Sequence, residues 1–349
     1  MIKRLTPIKV FFKDPDKKPW PVMVKELIGF GIKKRALPID YFRKFLYRKD
    51  TKHYDDFLSL KEHRRIIESK KIVSREISEL LNNKLSFSLL CRSANIPTTQ
   101  MMSYNLKNRF VVDGKNQFIA AENDLILFFK TVLNETPKKH LFLKPLDGLG
   151  GEGCLLLTPD NLHNQCNLHA RLLLTTSYIH ECYIEQHPEI NQIHPHAINT
   201  LRILHYIDNK NKIHILSSAM RFGVGNSIID NISRGGFCIG INSQTGCLEK
   251  TGQQWVTNGG AVFYKHPDTG FVLEGFKVPY FDKACQLVKQ VAPYFPNRLV
   301  GWDIAITRTG PIVLEGNQYP SLSMSEIAYG GFAQHPLFQE LLKELEAKT

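Results

Sequence analysis

The chain has 349 residues, of which 43% are hydrophobic, and a formal net charge of +12. That length can bury a sizeable core in two or three lobes. No apolar run approaches the ~18 residues of a membrane span, the first ten residues lack a signal-peptide core, and the seven dispersed cysteines contain no Cys-x-x-Cys pair. We therefore expect a cytoplasmic protein with reduced thiols and no transmembrane segment.

Most of the positive charge lies in residues 1–52, which contain fifteen Lys and Arg but five Asp and Glu. This excess predicts a surface for an anionic partner, such as an acidic glycan, the inner membrane leaflet or nucleic acid. The alternative is a solvated basic face without a partner. Nucleic acid ranks lowest, because neither zinc-ligand spacing nor an aromatic–basic module accompanies the charge. Glycan contact and peripheral attachment at the inner face of the membrane both remain open.

The first part of the chain predicts a basic, mainly helical segment, then β-structure. Prolines break the pattern near the start, and apolar residues then recur at helical spacing. Asn83 is placed to cap a helix of its own. The predicted elements are broken helices over 1–55, helices over 56–81 and 84–94, β-structure over 97–119 and a helix over 122–133.

The stretch HLFLKPLDGLGGEGCLLLT, residues 140–158, predicts a strand, a glycine-rich loop and a second strand. Glycine lets backbone N–H groups approach oxyanions closely, and a lysine at the root of the loop supplies positive charge. We therefore predict a phosphate-binding loop for a nucleoside triphosphate. Its candidate residues are Lys144, Asp147, Gly148, Gly150, Gly151 and Gly153.

Three familiar glycine motifs do not fit this stretch. The spacing Gly148-x-Gly150-x-x-Gly153 matches the dinucleotide fingerprint, but a short strand follows where that motif needs a helix. The chain has no Gly-Lys-Ser/Thr for a Walker loop, and no His-Arg-Asp or Asp-Phe-Gly for a protein kinase. An ordinary glycine-rich hairpin turn remains the alternative.

The second half is predicted to be rich in strands and carries a second polar cluster. Glu315 and Asn317 project from one strand face because they are two residues apart, and Asp303 on the partner strand can face them. These hard oxygen donors suit Mg²⁺ that bridges nucleotide phosphates, whereas the alternative is a polar hairpin in water. The predicted elements are helices over 161–174, 281–291 and 336–346, and strands over 182–186, 200–206, 213–222, 236–241, 299–307 and 311–315.

In their order along the chain, these motifs resemble the ATP-grasp superfamily. The superfamily has an acidic residue before its first ATP lysine, and Asn83 stands there in this chain. The resemblance rests on Asn83-Lys84 as the first lysine site, Phe142–Pro145 with the glycine loop, Tyr183–Gln186 as the hinge strand, and Asp303, Glu315 and Asn317 as the Mg²⁺ triad.

A closer resemblance is to the sugar-transfer-associated ATP-grasp family, and it covers residues 83–331. It is carried by EQHPEI with HPHAINTLRIL in residues 185–204, AMRFGVGNSIIDN with GG in 219–236, HPDTG in 266–270, and GWDIAIT with VLEGN in 301–317.

The resemblance implies an α+β ATP-grasp fold whose two lobes grip ATP. Its parts would be a basic helical segment (1–82), a first subdomain with the phosphate loop (83–180) and a second subdomain with the Mg²⁺-binding strands (181–349). Lys84 and Lys144 would hold the α- and β-phosphates while the loop closes over them. Hinge residues expected near adenine and ribose are Glu185, Gln186, His187 and Glu189.

The implied activity is ATP-dependent ligation of a carboxylate to an amine through an acyl phosphate, in cell-surface polysaccharide or peptide-type biosynthesis. The substrates would be small or glycan-linked, in a pocket built from 223–233 and 318–331. Arg202, Arg221 and Arg234 are candidates for binding the carboxylate and the intermediate, since a guanidinium fits such oxygens bidentately; each could instead be a structural ion-pair partner. The rival functions are a phosphotransferase on the same fold and a non-catalytic nucleotide-binding partner of a glycosyltransferase assembly.

Overall fold

The computed structural model describes residues 2–148 and 150–346. The helices are α1 (Ile2–Lys13), α2 (Trp20–Lys34), α3 (Ile39–Arg43), α4 (Leu60–Ile67), α5 (Arg75–Asn82), α6 (Lys84–Ser93), α7 (Glu122–Glu135), α8 (Leu162–Thr175), α9 (Pro188–Ile193), α10 (Phe281–Val291), α11 (Leu322–Tyr329) and α12 (Pro336–Glu346). The strands are β1 (Met101–Leu106), β2 (Arg109–Val112), β3 (Lys115–Phe118), β4 (Leu141–Pro145), β5 (Leu155–Leu157), β6 (Tyr178–Cys182), β7 (Leu201–Ile207), β8 (Ile213–Phe222), β9 (Phe237–Ile241), β10 (Leu248–Gln254), β11 (Val262–Phe263), β12 (Leu299–Thr307) and β13 (Gly310–Asn317).

Helices α1 to α3 enclose a small aromatic core of their own. Phe11 packs edge-to-face on Tyr47, and Phe30 and Tyr41 are also fully enclosed. Val256 and Ile327 pack against this core, and a buried ion pair joins Lys44 to Glu326 of α11, so both apolar and charged contacts attach the N-terminal unit to the rest of the chain.

The predicted single helix over 56–81 is wrong, because the chain forms two helices there. Helix α4 ends before a turn in which Ile72 is buried, and Ser74 then caps α5 by accepting a hydrogen bond from the Ile77 N–H. Leu58, Ile66 and Ile72 pack with residues of β7 and β12 in one cluster. Residues 58–82 therefore lie against the second sheet, although α1 to α3 form a core apart from it.

The first sheet has six strands in the order β3-β2-β1-β6-β4-β5, and all the pairs are antiparallel. Helices α7 and α8 cover one face, and their apolar side chains, which recur at helical spacing, bury the apolar side chains of β4. The predicted hinge strand over 182–186 is wrong: β6 ends at Cys182, residues 183–185 have no regular structure, and Gln186 forms an isolated β-bridge with Thr307.

The second sheet has seven strands in the order β11-β10-β9-β8-β7-β12-β13. Helix α10 packs on one face and α11 contacts β8 and β9 on the other. In the pairing register, Glu315 lies opposite Asp303, Asp303 opposite Arg202, and Arg202 opposite Ala219. Directly paired residues point to the same face, so the register brings two acids and an arginine together. The sequence predicted no element where β10, β11 and α11 lie.

Candidate active site

A cleft between the two sheets encloses a cavity of about 220 Å³. Lys144 and the glycine-rich loop line it from the first sheet, and Asp303 and Glu315 line it from the second. Lys84 also lines it, from the start of α6, a helix that packs on the core of the second sheet through Phe87. Two sequence motifs about 150 residues apart in the chain therefore meet across one cavity.

Lys84 is positioned by the start of α6. The Asn83 side chain accepts a hydrogen bond from the Ser86 N–H at 2.9 Å, so Asn83 caps this helix as predicted. The Lys84 ammonium donates to the Gly148 carbonyl at 2.6 Å and so reaches the base of the glycine loop. Burial lowers the pKa of Lys84, against the opposing effect of Glu315.

Lys144 enters the cleft from β4 and forms an ion pair with Glu181 on the neighbouring strand at 2.6 Å. Burial lowers the pKa of Lys144, but the carboxylate of Glu181 outweighs it and the net pKa is raised. Glu181 also lines the cleft, and it was not among the site residues predicted from the sequence. Glu181 reaches Lys144 because β6 pairs with β4, and the local sequence around Glu181 does not indicate that pairing.

The glycine-rich loop touches the second lobe. Gly150, Gly151 and Gly153 have φ values of +64°, +75° and +71°, which favour glycine. A Cβ atom on Gly150 would lie 2.7 Å from the side-chain nitrogen of Asn231, and one on Gly151 would lie 2.8 Å from Cδ1 of Ile229. The loop therefore approaches residues 229–231 too closely for a side chain. 

The remaining loop residues differ in where they lie. Gly148, Gly150 and Gly151 line the cavity, whereas Gly153 packs near Pro145 and Asp147 is exposed outside the lining. Leu149 lies outside the described residues.

Asp303 is buried and held by two arginines. Arg202 donates to both of its carboxylate oxygens, at 2.5 and 3.1 Å, and Arg221 donates to one at 2.8 Å. Burial alone would raise the pKa of Asp303, but the two guanidinium groups lower it to about 2. Arg202 is not among the residues that line the cavity, and its side-chain hydrogen bonds within the described residues go to Asp303.

Glu315 has the opposite electrostatic environment. Burial and the charge of Asp303 raise its pKa, and the more distant Arg202 and Arg221 only partly compensate. The Asn317 amide nitrogen donates to Glu315 and to the Gly301 carbonyl, both at 3.3 Å, and Asn317 lies beside the cavity lining rather than in it. Two carboxylates and one amide oxygen are a donor set that suits Mg²⁺. Within the described residues Glu315 has no ion-pair partner within 4 Å, and the Oδ1 atom of Asp303 accepts a single hydrogen bond, so both carboxylates keep free lone pairs.

Arg221 lines the cleft and is fixed by groups on three segments. It donates to the Thr200 hydroxyl at 2.5 Å and pairs with Asp230 at 3.3 Å, besides its contact with Asp303. Its Nη1 atom makes no hydrogen bond within the described residues, so two N–H donors stay open. Arg234 is exposed at the end of a short 3₁₀ turn and does not line the cavity. 

The hinge presents mainly apolar atoms to the cavity. The side chains of Phe142, Leu156, Ile184, Ile198 and Leu314 line it, with Tyr183 beside them. Such a surface suits a planar, mostly apolar base.

The four predicted hinge side chains lie outside that lining. Glu185 pairs with Lys138 at the surface, and Glu189 is exposed. The Gln186 amide is buried and donates to the His194 carbonyl at 3.1 Å, and the His187 ring accepts a hydrogen bond from the Glu189 N–H at 3.4 Å.

A histidine cluster anchors the segment that follows β8. The His194 and His266 rings stack at 4.8 Å, and His266 Nε2 hydrogen-bonds to the Gly223 carbonyl at 3.0 Å. The Asp268 carboxylate lies 3.8 and 3.9 Å from the two rings. The three side chains could supply metal-ligand atoms within 4.8 Å, but the ring planes are only 24° apart, so the in-plane lone pairs do not converge. The cluster therefore positions the loop that meets the glycine flap.

The family model for sugar-transfer-associated ATP-grasp proteins matches residues 64–340. Solved structures similar to this chain include D-alanyl-alanine synthetase A from Vibrio cholerae (13% identity, 78% of this chain and 67% of that chain, TM-score 0.46). The ATP-grasp ligase PsnB with its minimal precursor (14%, 80% and 64%, 0.43) and the D-cycloserine synthetase DcsG (13%, 78% and 73%, 0.44) are also similar. No curated protein sequence matches the chain.

Proposed function

The chain belongs to the sugar-transfer-associated ATP-grasp family, and from this premise we propose that it is an ATP-dependent carboxylate–amine ligase. The observation that supports this most is the cleft itself. Two lysines, a glycine flap and a pair of facing carboxylates converge there from both sheets. This is the set of charges that attack by a carboxylate on a phosphate requires, because two anions must approach each other.

In this proposal the nucleotide binds along the cleft with its base on the apolar hinge side. Lys84 and Lys144 bind the α- and β-phosphates, and the backbone of the glycine loop covers them. Asp303, Glu315 and Asn317 would hold Mg²⁺, which when bound neutralises charge on the phosphates. Closure of the loop on residues 229–231 excludes water from the reacting groups.

The acceptor carboxylate is proposed to bind at Arg221, whose Nη1 donors are open to the cleft. A carboxylate oxygen attacks the γ-phosphorus and ADP leaves, which gives an acyl phosphate. An amine then attacks the carbonyl carbon, phosphate leaves, and an amide forms as the amine loses a proton. Arg202 positions Asp303 and has no contact with the substrate in this scheme.

The family association supports a peptide, sugar or glycan-linked substrate, in a cytoplasmic step of cell-surface polysaccharide or peptide-type biosynthesis. A phosphotransferase would use the same nucleotide residues without an amine. A non-catalytic binding partner would retain the fold without turnover.

The test is ATP turnover with Mg²⁺ against pools of carboxylates and amines, with ADP and AMP measured separately. The proposal predicts ADP and phosphate only when both substrates are present. Glu315→Gln should reduce turnover about a hundredfold, whereas Glu274→Gln, an exposed glutamate remote from the cleft, should leave it unchanged. A stable phosphorylated product without an amine would indicate a phosphotransferase, and AMP would contradict the acyl-phosphate route.

A further inference from the structure

Helix α2 is apolar on both of its sides. Its inner side buries Met23 and Phe30 against the N-terminal core. Its outer side carries Trp20, Val24, Ile28 and Ile32, which are 59%, 48%, 59% and 73% exposed. These four residues are spaced by four and form one continuous stripe, the outer stripe, along the helix. A surface helix of a water-soluble domain normally has polar residues there.

The outer stripe continues beyond both ends of α2. Phe12, at the end of α1, is 64% exposed, and the Phe11 ring beside it contacts the Trp20 ring at 5.9 Å. After the helix, Leu37 and Ile39 are 78% and 47% exposed. We call this whole surface, from Phe12 through the outer stripe to Ile39, the apolar face.

The charges around the apolar face are unevenly exposed. The acidic residues Asp14 and Glu26 are buried and already paired, with Arg48 and Lys18. The exposed cations Lys9, Lys13, Lys25 and Arg35 have no ion-pair partner within the described residues. Asp40 is also buried, whereas Asp16, which lies 3.7 Å from Lys49, and Asp50 are exposed. The exposed cations of this unit therefore outnumber its exposed acids.

We propose that the apolar face binds the surface of a bilayer that contains anionic lipids. Apolar side chains enter the region between headgroups and acyl chains, tryptophan sits at that boundary, and lysines reach the anionic headgroups. A second copy of the chain fits less well, because the two basic surfaces would repel each other. Binding is peripheral: within residues 2–148 and 150–346 no helix has the length and apolar character that crossing a bilayer requires.

Two contacts connect the N-terminal helices to the second lobe, so membrane binding by the apolar face would also hold the second lobe. Lys44 pairs with Glu326 of α11, and Arg48 donates to Gln253 of β10 at 2.6 Å. The second lobe, with its Mg²⁺-ligand candidates, would therefore be held near the membrane surface. This inference does not rest on the proposed ligase activity.

The test is flotation of the full chain with vesicles of phosphatidylcholine alone or with about one-third phosphatidylglycerol. We expect binding to the anionic vesicles and its loss at raised salt. Ile28→Glu with Ile32→Glu should reduce binding at least about tenfold, whereas Leu127→Glu with Leu168→Glu, on exposed positions of α7 and α8, should not. ATP turnover in solution and the melting temperature should be the same in all of these variants.

A charge series tests the second half of the proposal. Lys9→Glu, Lys13→Glu and Lys25→Glu together should weaken binding by about fivefold or more for each position. Lys130→Glu, Lys210→Glu and Lys289→Glu change the net charge equally at exposed sites elsewhere and should have little effect. The proposal is overturned if the protein does not float with anionic vesicles, or if binding survives both sets of N-terminal substitutions. It is also overturned if the protein binds no lipid and light scattering finds a dimer that Ile28→Glu with Ile32→Glu dissociates.

Discussion

Closure of the glycine flap can be tested by adding one methyl group at Gly151. Alanine there would adopt a φ of +75°, and its Cβ atom would lie 2.8 Å from Cδ1 and 3.2 Å from Cγ2 of Ile229. Two separate penalties therefore act on the closed flap. The left-handed backbone costs about 1 kcal/mol for alanine, and the overlap costs about 1–3 kcal/mol.

Together these penalties predict that Gly151→Ala reduces kcat/KM for ATP about thirtyfold or more. The loop can relieve both by opening, so thermal unfolding should change little. Ile229→Ala removes the two overlapping atoms and leaves Cβ of that residue at 3.7 Å, an ordinary contact. In a double-mutant cycle, adding Ile229→Ala to Gly151→Ala should therefore restore most of the lost kcat/KM. The backbone penalty remains and should leave a loss of about fivefold.

Gly114→Ala supplies the matched control, because Gly114 has a φ of +73° with no atom within 4 Å of the added Cβ. It should lower stability by about 1 kcal/mol and leave kcat/KM unchanged. If Gly151→Ala is as active as the wild type, or if Ile229→Ala restores none of the loss, the flap does not close on Ile229 during turnover.

Three further predictions follow from charges around the cleft and in the core. Lys84→Met and Lys144→Met should both weaken ATP binding in calorimetry, but Lys144→Met should also lower the free energy of unfolding by about 3 kcal/mol, because it leaves Glu181 buried without a partner. Arg202→Met should cost a similar ~3 kcal/mol at pH 7, measured by urea unfolding. The difference in the free energy of unfolding between the wild type and Arg202→Met should become smaller as the pH falls from about 4 to 2. The ion pair stabilises the folded chain only while the carboxylate of Asp303 is ionised, and the pKa of Asp303 is about 2. Burial lowers the pKa of His205 to about 4, and its Nδ1 accepts a hydrogen bond from Trp302 at 2.6 Å, so the ring must stay neutral. Between pH 6.5 and 4 the unfolded chain binds more protons than the folded chain, so the free energy of unfolding should decrease as the pH is lowered. His205→Asn should make this dependence less steep, by up to about 1.4 kcal/mol per pH unit. An unchanged pH dependence would contradict the prediction.

The parts of the site that lie close together in sequence could be predicted from it. The glycine loop between two strands and the facing pair Asp303 and Glu315 are each contained in about twenty residues, where turn residues and strand alternation are informative. The capping role of Asn83 is similarly local.

Residues that depend on distant pairing could not be found in this way. Glu181 reaches Lys144 through the pairing of β6 with β4, and Asp230 reaches Arg221 and Thr200 through a loop. The side chain of Gln186 was expected near the nucleotide, but a buried network with Asn199 and His194 holds it. The break between α4 and α5 depends on the docking of Ile72 against the second sheet, which helical periodicity does not report.

The placement of the nucleotide and its metal in the cleft can be tested by calorimetry, with an ATP analogue and the purified chain, in Mg²⁺ and again in EDTA. We expect one site per chain, with an affinity that falls when Mg²⁺ is removed and falls similarly in Glu315→Gln, while Glu274→Gln behaves as the wild type. No binding, or binding that neither EDTA nor Glu315→Gln weakens, would contradict the placement of the nucleotide and its metal in this cleft.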